Sequence, residues 1–527
     1  MPLKTRHILL LLLLMAVLPM AHAQFYNGMN MTFGKNRVQW TDFHWSYYMN
    51  DNFDVYYYQG GNDLARYAQA YAKDQIPKFE TRLNSRFSKK IQFIVFNSKG
   101  DFKQSNINLD EEEYGNTGGI TKIIGSKVIL YFDGDYTHFE AQIREGITSL
   151  LISQVMNGTS IGSQLRNAYR YDIPQWFQDG LAAYIAGNWD SHKEAQLQRG
   201  ITSGNYKKIN HLQNEDALIA GYSFWNFIDE KYGSKSFNDI LTLAQSTRNV
   251  KKSLLYVTNK EYKALIEEWY EFYKARYEAL LSHQPSELMK LKYRKYRTFT
   301  QPSISPNGKY IAYVSNDEGK IQLWLEDLQN GKRQQLFKTG YRSDENIDTS
   351  FPLLAWHPNS EILSFIIEEE GKIQLYNLDI NSGKKANTYL FDFQKVSSFS
   401  YAHKSRKIVL AATRMGKPDI YVYNLFSNTL EQITNDYHTD LNPVFTCDDR
   451  QIVFSSNRQN DTLKVETEIG FQGKQFNLFA FDYNDKNTVL RNLTGQRYSN
   501  NILPEPLKDG SLLYLNDTSG YYNLYQI

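Results

Sequence analysis

The chain has 527 residues, 41% hydrophobic and 22% charged, which suits a globular protein of more than one domain and excludes disordered or collagen-like material. Lys and Arg total 59 against 57 Asp and Glu, so no basic field exists to concentrate on a phosphate backbone, and nucleic acid is not an expected partner. The single cysteine, Cys447, excludes an internal disulfide, a CxxC redox pair and a multi-cysteine zinc site.

The first element is an address. Lys4 and Arg6 precede an unbroken apolar run from Ile8 to Leu18, and Ala21-His22-Ala23 forms a small-x-small cleavage signal. Eleven apolar residues are too few to span a bilayer, so residues 1–23 are expected to be a signal peptide cut after Ala23. No cysteine follows the cut, which argues against a lipoprotein anchor. The segment looks like that of an exported Gram-negative protein, expected in the periplasm, free or peripheral to the outer membrane, with no transmembrane segment after cleavage.

Residues 24 to about 135 alternate strand and helix patterns: strands at 53–58, 91–96 and 128–132, and an amphipathic helix from Asp63 to Leu83. Residues 138 to about 292 read as mainly helical, ending in the run Asn259 to Leu281. The acidic run 110–113 and the pairs Gly60-Gly61 and Gly118-Gly119 read as loops and turns, without a nucleotide-binding spacing. Gly158-Thr159-Ser160-Ile161-Gly162 fits Gly-x-Ser-x-Gly, but a helical pattern precedes it where a nucleophile elbow needs a strand. A basic cluster, Lys290, Lys292, Arg294, Lys295 and Arg297, reads as an exposed seam.

From about residue 298 the period becomes two and a repeat appears. Gln322-Leu323-Trp324 with Asp327 returns as Gln374-Leu375-Tyr376 with Asp379, as Asp419-Ile420-Tyr421 with Asn424 and as Asn477-Leu478-Phe479 with Asp482. A fifth copy starts at Asn523-Leu524-Tyr525. Subtracting residue numbers puts the aromatics 52, 45, 58 and 46 residues apart, the length of a four-stranded propeller blade. The aspartates are expected to cap turns through backbone amides. The stretch Leu430 to Asn435, then Asn442-Pro443-Val444-Phe445, then Ile452 to Arg458, resembles the repeat of TolB-type WD-like propellers. The third copy departs from it, with Ala402-His403-Lys404-Ser405 where the family prefers Ser-Pro-Asp-Gly. The resemblance covers about residues 298–527 and implies a protein-interaction platform without chemistry. A fifth blade stopping at Ile527 suggests truncation at the C-terminus.

A second resemblance lies upstream. Phe132 to Tyr136, Phe139 to Glu145 and Ile173 to Tyr184 resemble the metal-binding core of the peptidase MA-like (gluzincin) families, as in exported Bacteroidota-type proteins. In active members His-Glu-x-x-His on a helix grips zinc and a glutamate on a second helix adds the third ligand. The register that keeps the family's glutamate on Glu145 puts its histidines at Arg144 and Thr148. Sliding by one puts His, Glu and His on Glu145, Gly146 and Ser149. Asp179 holds the third-ligand position. Both registers lose both imidazoles, so these positions are expected to be vestigial, with an Arg144–Asp179 salt bridge replacing the metal and Trp176, Phe177 and Leu181 packing one helix on the other.

The expected organisation is a multidomain one. A signal peptide at 1–23 leads to an α+β gluzincin-like domain with a pseudo-active site at 24–196 and a helical subdomain at 197–292. An all-β propeller of about five blades follows at 298–527. The expected function is a non-enzymatic, cofactor-free scaffold for protein or peptide partners in the cell envelope, in outer-membrane protein assembly or export. The alternative is an exported zinc metallopeptidase with an atypical site.

Overall fold

The computed structural model describes residues 39–105, 127–157, 173–278, 297–342, 349–390, 393–463, 471, 473, 475–486, 488–495 and 498–527. The expected signal peptide, the acidic run, Gly118-Gly119, the Gly-x-Ser-x-Gly match and the basic cluster up to Lys295 lie outside these residues. Arg297, the last of that cluster, pairs with Asp317 at 3.2 Å.

The N-terminal domain opens with a four-stranded sheet in the order β1 (Ser46–Met49), β2 (Phe53–Tyr57), β3 (Ile91–Phe96), β4 (Lys127–Tyr131). β1 pairs antiparallel with β2, while β2, β3 and β4 run parallel. Parallel neighbours need a crossover. Helix α1 (Asn62–Arg82) provides it between β2 and β3, burying Leu64, Tyr67, Ala68, Tyr71 and Ile76 at helical spacing. A short helix, α2 (Lys99–Lys103), follows β3.

Helices then take over: α3 (Tyr136–Asn157), α4 (Gln175–Ala186), α5 (Ser191–Thr202), α6 (Asn214–Tyr232), α7 (Ser236–Thr247), α8 (Val250–Thr258) and α9 (Tyr262–Glu278). One buried core runs without interruption from Phe53 to Tyr277, and the boundary expected at 196/197 falls inside α5. Trp176, Phe177 and Leu181 are buried as expected, but the two aromatics pack against Phe224 and Trp225 of α6. The reason is a glycine crossing: Gly180 of α4 meets Gly221 of α6, and a Cβ on Gly221 would collide with the Trp176 carbonyl oxygen.

The C-terminal half forms five antiparallel sheets that follow one another in sequence, the blades of a β-propeller. Blade 1 is β5 (Arg297–Ile304) to β8 (Arg333–Thr339) and blade 2 is β9 (Leu353–Trp356) to β12 (Lys385–Tyr389). Blade 3 is β13 (Lys395–Tyr401) to β16 (Thr429–Gln432), and blade 4 is β17 (Asp440–Phe445) to β20 (Arg491–Asn492). Blade 5 has three strands, β21 (Asn501–Pro506), β22 (Leu512–Asn516) and β23 (Asn523–Gln526). Strand alternation sends successive side chains to opposite neighbours. Ile452 and Phe454 of β18 (Gln451–Ser456) join blade 3 in one cluster, while Val453 between them joins Leu512 and Tyr514 of blade 5.

The repeated aspartates cap turns as expected. Asp327 accepts from the amides of Gln329 and Asn330, Asp379 from Asn381 and Ser382, Asn424 from Phe426 and Ser427, and Asp482 from Asn484 and Asp485. The irregular third turn is capped from outside: Asp449 of blade 4 accepts from the amides of His403, Lys404 and Ser405 at 2.7–3.0 Å.

The N-terminal domain sits on one propeller face, formed by the hairpins between second and third strands and the segments leading into first strands. Tyr136 donates its hydroxyl to the Gly416 carbonyl at 2.6 Å and its amide to Thr439 Oγ1 at 3.1 Å. The Tyr437 ring packs on Tyr67 and Tyr136, and Phe471 meets Tyr67 and Tyr71 edge-on. Gly416 adopts φ +78°, and a Cβ there would lie 2.7 Å from Leu64 Cγ, so docking is close. Among the described residues nothing covers the opposite face, which carries the exposed Leu328 and Phe426.

Candidate functional site

Helices α3 and α4 carry all the positions that the metallopeptidase resemblance singles out. Asp135 caps α3 by accepting from the Thr137 amide at 2.7 Å. Arg144 is buried, and its Nε donates to the Ala186 carbonyl at 2.7 Å and its Nη1 to the Tyr71 hydroxyl at 2.6 Å. Thr148 is fully buried, its Oγ1 lying 3.0 Å from the carbonyls of Arg144 and Glu145 on α3 and of Ala182 on α4. Ser149 and Asp179 are half-buried.

Those contacts fix how the helices align. Arg144 lies level with Ala186 and Thr148 level with Ala182, so the helices run antiparallel. Asp179 is seven residues before Ala186, about 10 Å along the axis. The expected Arg144–Asp179 salt bridge is therefore corrected: the ion pair of Arg144 is with Glu140, one turn back on its own helix, at 3.5 Å. Glu145 turns instead toward the domain junction and accepts from Asn188 Nδ2 at 2.9 Å. Burial pushes its carboxyl above the usual range, against the opposing pull of Asn188 and Lys193.

Beside this contact, between the helical layer and blades 4 and 5, lies a cavity of about 950 Å³. Such volumes at domain junctions are typical of ligand sites. Its wall carries six carboxylates (Asp135, Glu140, Asp190, Glu194, Glu230 and Asp517) against the guanidinium groups of Arg144 and Arg276 and the imidazole of His138. Ser191 of α5 donates to Asp517 at 2.8 Å, tying the two domains across it. His138 sits between Asp135 and Asp133, whose charges raise its pKa to about 10. Trp189 stacks on Tyr222 with centroids 4.2 Å apart, and Tyr521 of blade 5 forms part of the facing wall. No sequence signal could assemble this set, because Trp189 and Tyr521 are brought together by domain docking alone.

A second charged group lies in the propeller. Asp419, Asp436 and Asp440 are buried with their oxygens within 4.8 Å of one another, the donor set among the described residues that converges as a metal would require. Arg458 fills it, meeting both oxygens of Asp440 at 2.9 and 2.8 Å and Asp436 at 3.3 Å. It is an ion network, and its Arg458 stood in the quoted repeat without its partners being legible.

No family model matches the chain. Among solved structures it is similar to TolB from Acinetobacter baumannii, at 15% identity over 44% of this chain and 54% of that one, with a TM-score of 0.32. The β-propeller domain of the Trilobed protease from Pyrococcus furiosus is matched at 17% identity over 44% and 66% of the two chains, TM-score 0.30. A putative TolB from Agrobacterium tumefaciens is matched at 15% identity over 38% and 82%, TM-score 0.24. The chain thus spans about half of the first of these proteins and just under two thirds of the second. The propeller architecture itself rests on the five successive sheets. Among the described residues no helix is long and apolar enough to cross a membrane.

Proposed function

We propose that the chain is a non-enzymatic scaffold of the cell envelope, a vestigial peptidase-like module fused to a TolB-like propeller, which holds protein or peptide partners in outer-membrane protein assembly or export. One observation carries this reading. At the α3–α4 contact, where the resembled family grips zinc, a guanidinium and a hydroxyl bond helix carbonyls instead. A guanidinium offers donors only and cannot ligate a cation. The signal peptide supports export, and the open propeller face with Leu328 and Phe426 is the surface offered to a partner.

The test combines metal analysis of the purified full chain with turnover of a peptide library by the wild type and by Glu145→Gln and Asp179→Asn. The expected result is less than stoichiometric zinc and no turnover in any form. Stoichiometric zinc, with turnover abolished in both variants, would overturn the reading in favour of an atypical metallopeptidase. Crosslinking in the periplasm should then recover an envelope protein, with recovery reduced by Phe426→Asp on the open face.

A further inference from the structure

The cavity contains a grouping that a generic binding surface does not require. Glu194 of α5 accepts from Trp189 Nε1 at 2.9 Å and from the Tyr277 hydroxyl at 2.8 Å. Both donors are neutral, and no ion pair reaches this carboxylate among the described residues. Arg276 lies on the same wall, but its side chain is exposed and forms no ion pair among the described residues.

Each of the two donors belongs to a stacked aromatic pair beside the carboxylate. Trp189 and Tyr222 stack at 22°, and Tyr273 and Tyr277 stack with centroids 6.0 Å apart. Tyr521 closes the arrangement from the propeller side. Burial foremost holds the phenols of Tyr222, Tyr273, Tyr277 and Tyr521 above their ordinary value; the charge of Glu194 adds to it in each, against the opposing pull of Arg82 at Tyr222, of Asn226 and Arg276 at Tyr273 and of Arg276 at Tyr521. The charge of Glu194 therefore reaches all four rings. Among the described residues the buried Tyr521 hydroxyl has no hydrogen-bond partner, a cost that a bound donor or acceptor would remove.

We propose that this box binds the ammonium group of a lysine side chain, presented by a peptide that enters the cleft between the domains. The proposal rests on the reading of the chain as a scaffold for protein or peptide partners and adds a second, selective surface, the cavity between the domains. Ring faces carry negative potential and attract a cation, best when solvent is displaced. A carboxylate at the base adds a charge-assisted hydrogen bond to the same group. The six wall carboxylates outnumber the two guanidinium groups and the imidazole and so favour entry of a cation over an anion, while an apolar occupant would strip water from Glu194 and return nothing.

The experiment titrates the full chain with acetyl-Gly-Lys-Gly-amide and with its norleucine counterpart, which matches the stem but lacks the charge. Heat and tryptophan fluorescence are both followed. The lysine peptide should bind saturably and the norleucine peptide about tenfold more weakly. Glu194→Gln should lower affinity for the lysine peptide about tenfold. Because Glu194 also holds Trp189 and Tyr277, Tyr521→Leu supplies a variant outside the helical core, expected to weaken binding about threefold to tenfold at an unchanged melting temperature. Equal affinity for both peptides, binding of neither, or an unaltered lysine affinity in the two variants would sink the proposal. Partner recovery is read separately. Its persistence without lysine selectivity overturns the box alone, and its loss with selectivity intact overturns the scaffold reading alone.

Discussion

Two buried arginines, one in each half of the molecule, sit in opposite surroundings. Arg144 in the helical domain shares its charge among a backbone carbonyl, a phenol and the distant edge of Glu140. Arg458 in the propeller has no exposed side-chain surface and faces three carboxylates, two of which it bonds directly. Three acids on one cation leave an excess of negative charge in a dry site. Burial, followed by Asp436 and Asp440 themselves, accordingly pushes Asp419 far above the carboxylate range, and burial with Asp440 raises Asp436 to about 6. The contrast separates a position that has exchanged charge for neutral hydrogen bonds from one that depends on a full countercharge.

The largest effect expected from this comparison is that of Arg458→Ala, which leaves the carboxylates of blades 3 and 4 without their cation. Removing one partner of a buried pair costs about 3–5 kcal/mol, and denaturant unfolding followed by tryptophan fluorescence would measure it. Arg144→Ala should cost less, about 1–3 kcal/mol, because its pair with Glu140 is long at 3.5 Å, Glu140 keeps the Tyr67 hydroxyl as a donor, and the other groups it leaves are a neutral carbonyl and a phenol. A loss at Arg144 equal to that at Arg458 would erase the distinction.

The two halves also differ in how far a sequence reveals them. Propeller turns are local, so Asp327, Asp379 and Asp482 could be assigned to their amides from spacing alone, and the blades followed from the interval between aromatics. Strands β2 to β4 and helix α1 were legible for the same reason, since period and burial are written in neighbouring residues. The helical core was not. Its helices meet through Gly180 on Gly221, residues with no side-chain pattern to announce them, and a domain boundary placed at 196/197 falls within a helix. The Arg144–Asp179 pair failed likewise, because an antiparallel register 10 Å out of step cannot be read from one chain.

A third variant probes the one turn that departs from the repeat. Asp449 belongs to blade 4 yet holds three amides of blade 3, so its loss couples two blades in a way that a turn capped from within would not. Asp449→Ala is expected to cost about 1–2 kcal/mol. Asp449→Asn should recover part of it, since asparagine tolerates the φ of +61° and keeps one acceptor. Hydrogen exchange at residues 403–405 would show the loosened turn directly.

The smallest effect tests the domain junction. His138 Nδ1 lies 3.0 Å from Asp133 and Nε2 3.8 Å from Asp135, with Asp190 contributing from α5 and Thr439 of the propeller also bonded to Asp135. A histidine whose pKa rises on folding adds stability that is complete below its unfolded value near 6.5 and is lost as pH climbs toward about 10. The imidazole is 64% exposed, so solvent screens both pairs and the contribution stays within about 0.2–1 kcal/mol. The difference in stability between wild type and His138→Gln should therefore be greatest near pH 6 and fade steadily by pH 10, and 1 M salt should shrink it. Should the difference instead grow with pH, the imidazole would be neutral in the folded protein and its charged pairing with Asp133 and Asp135 would not exist.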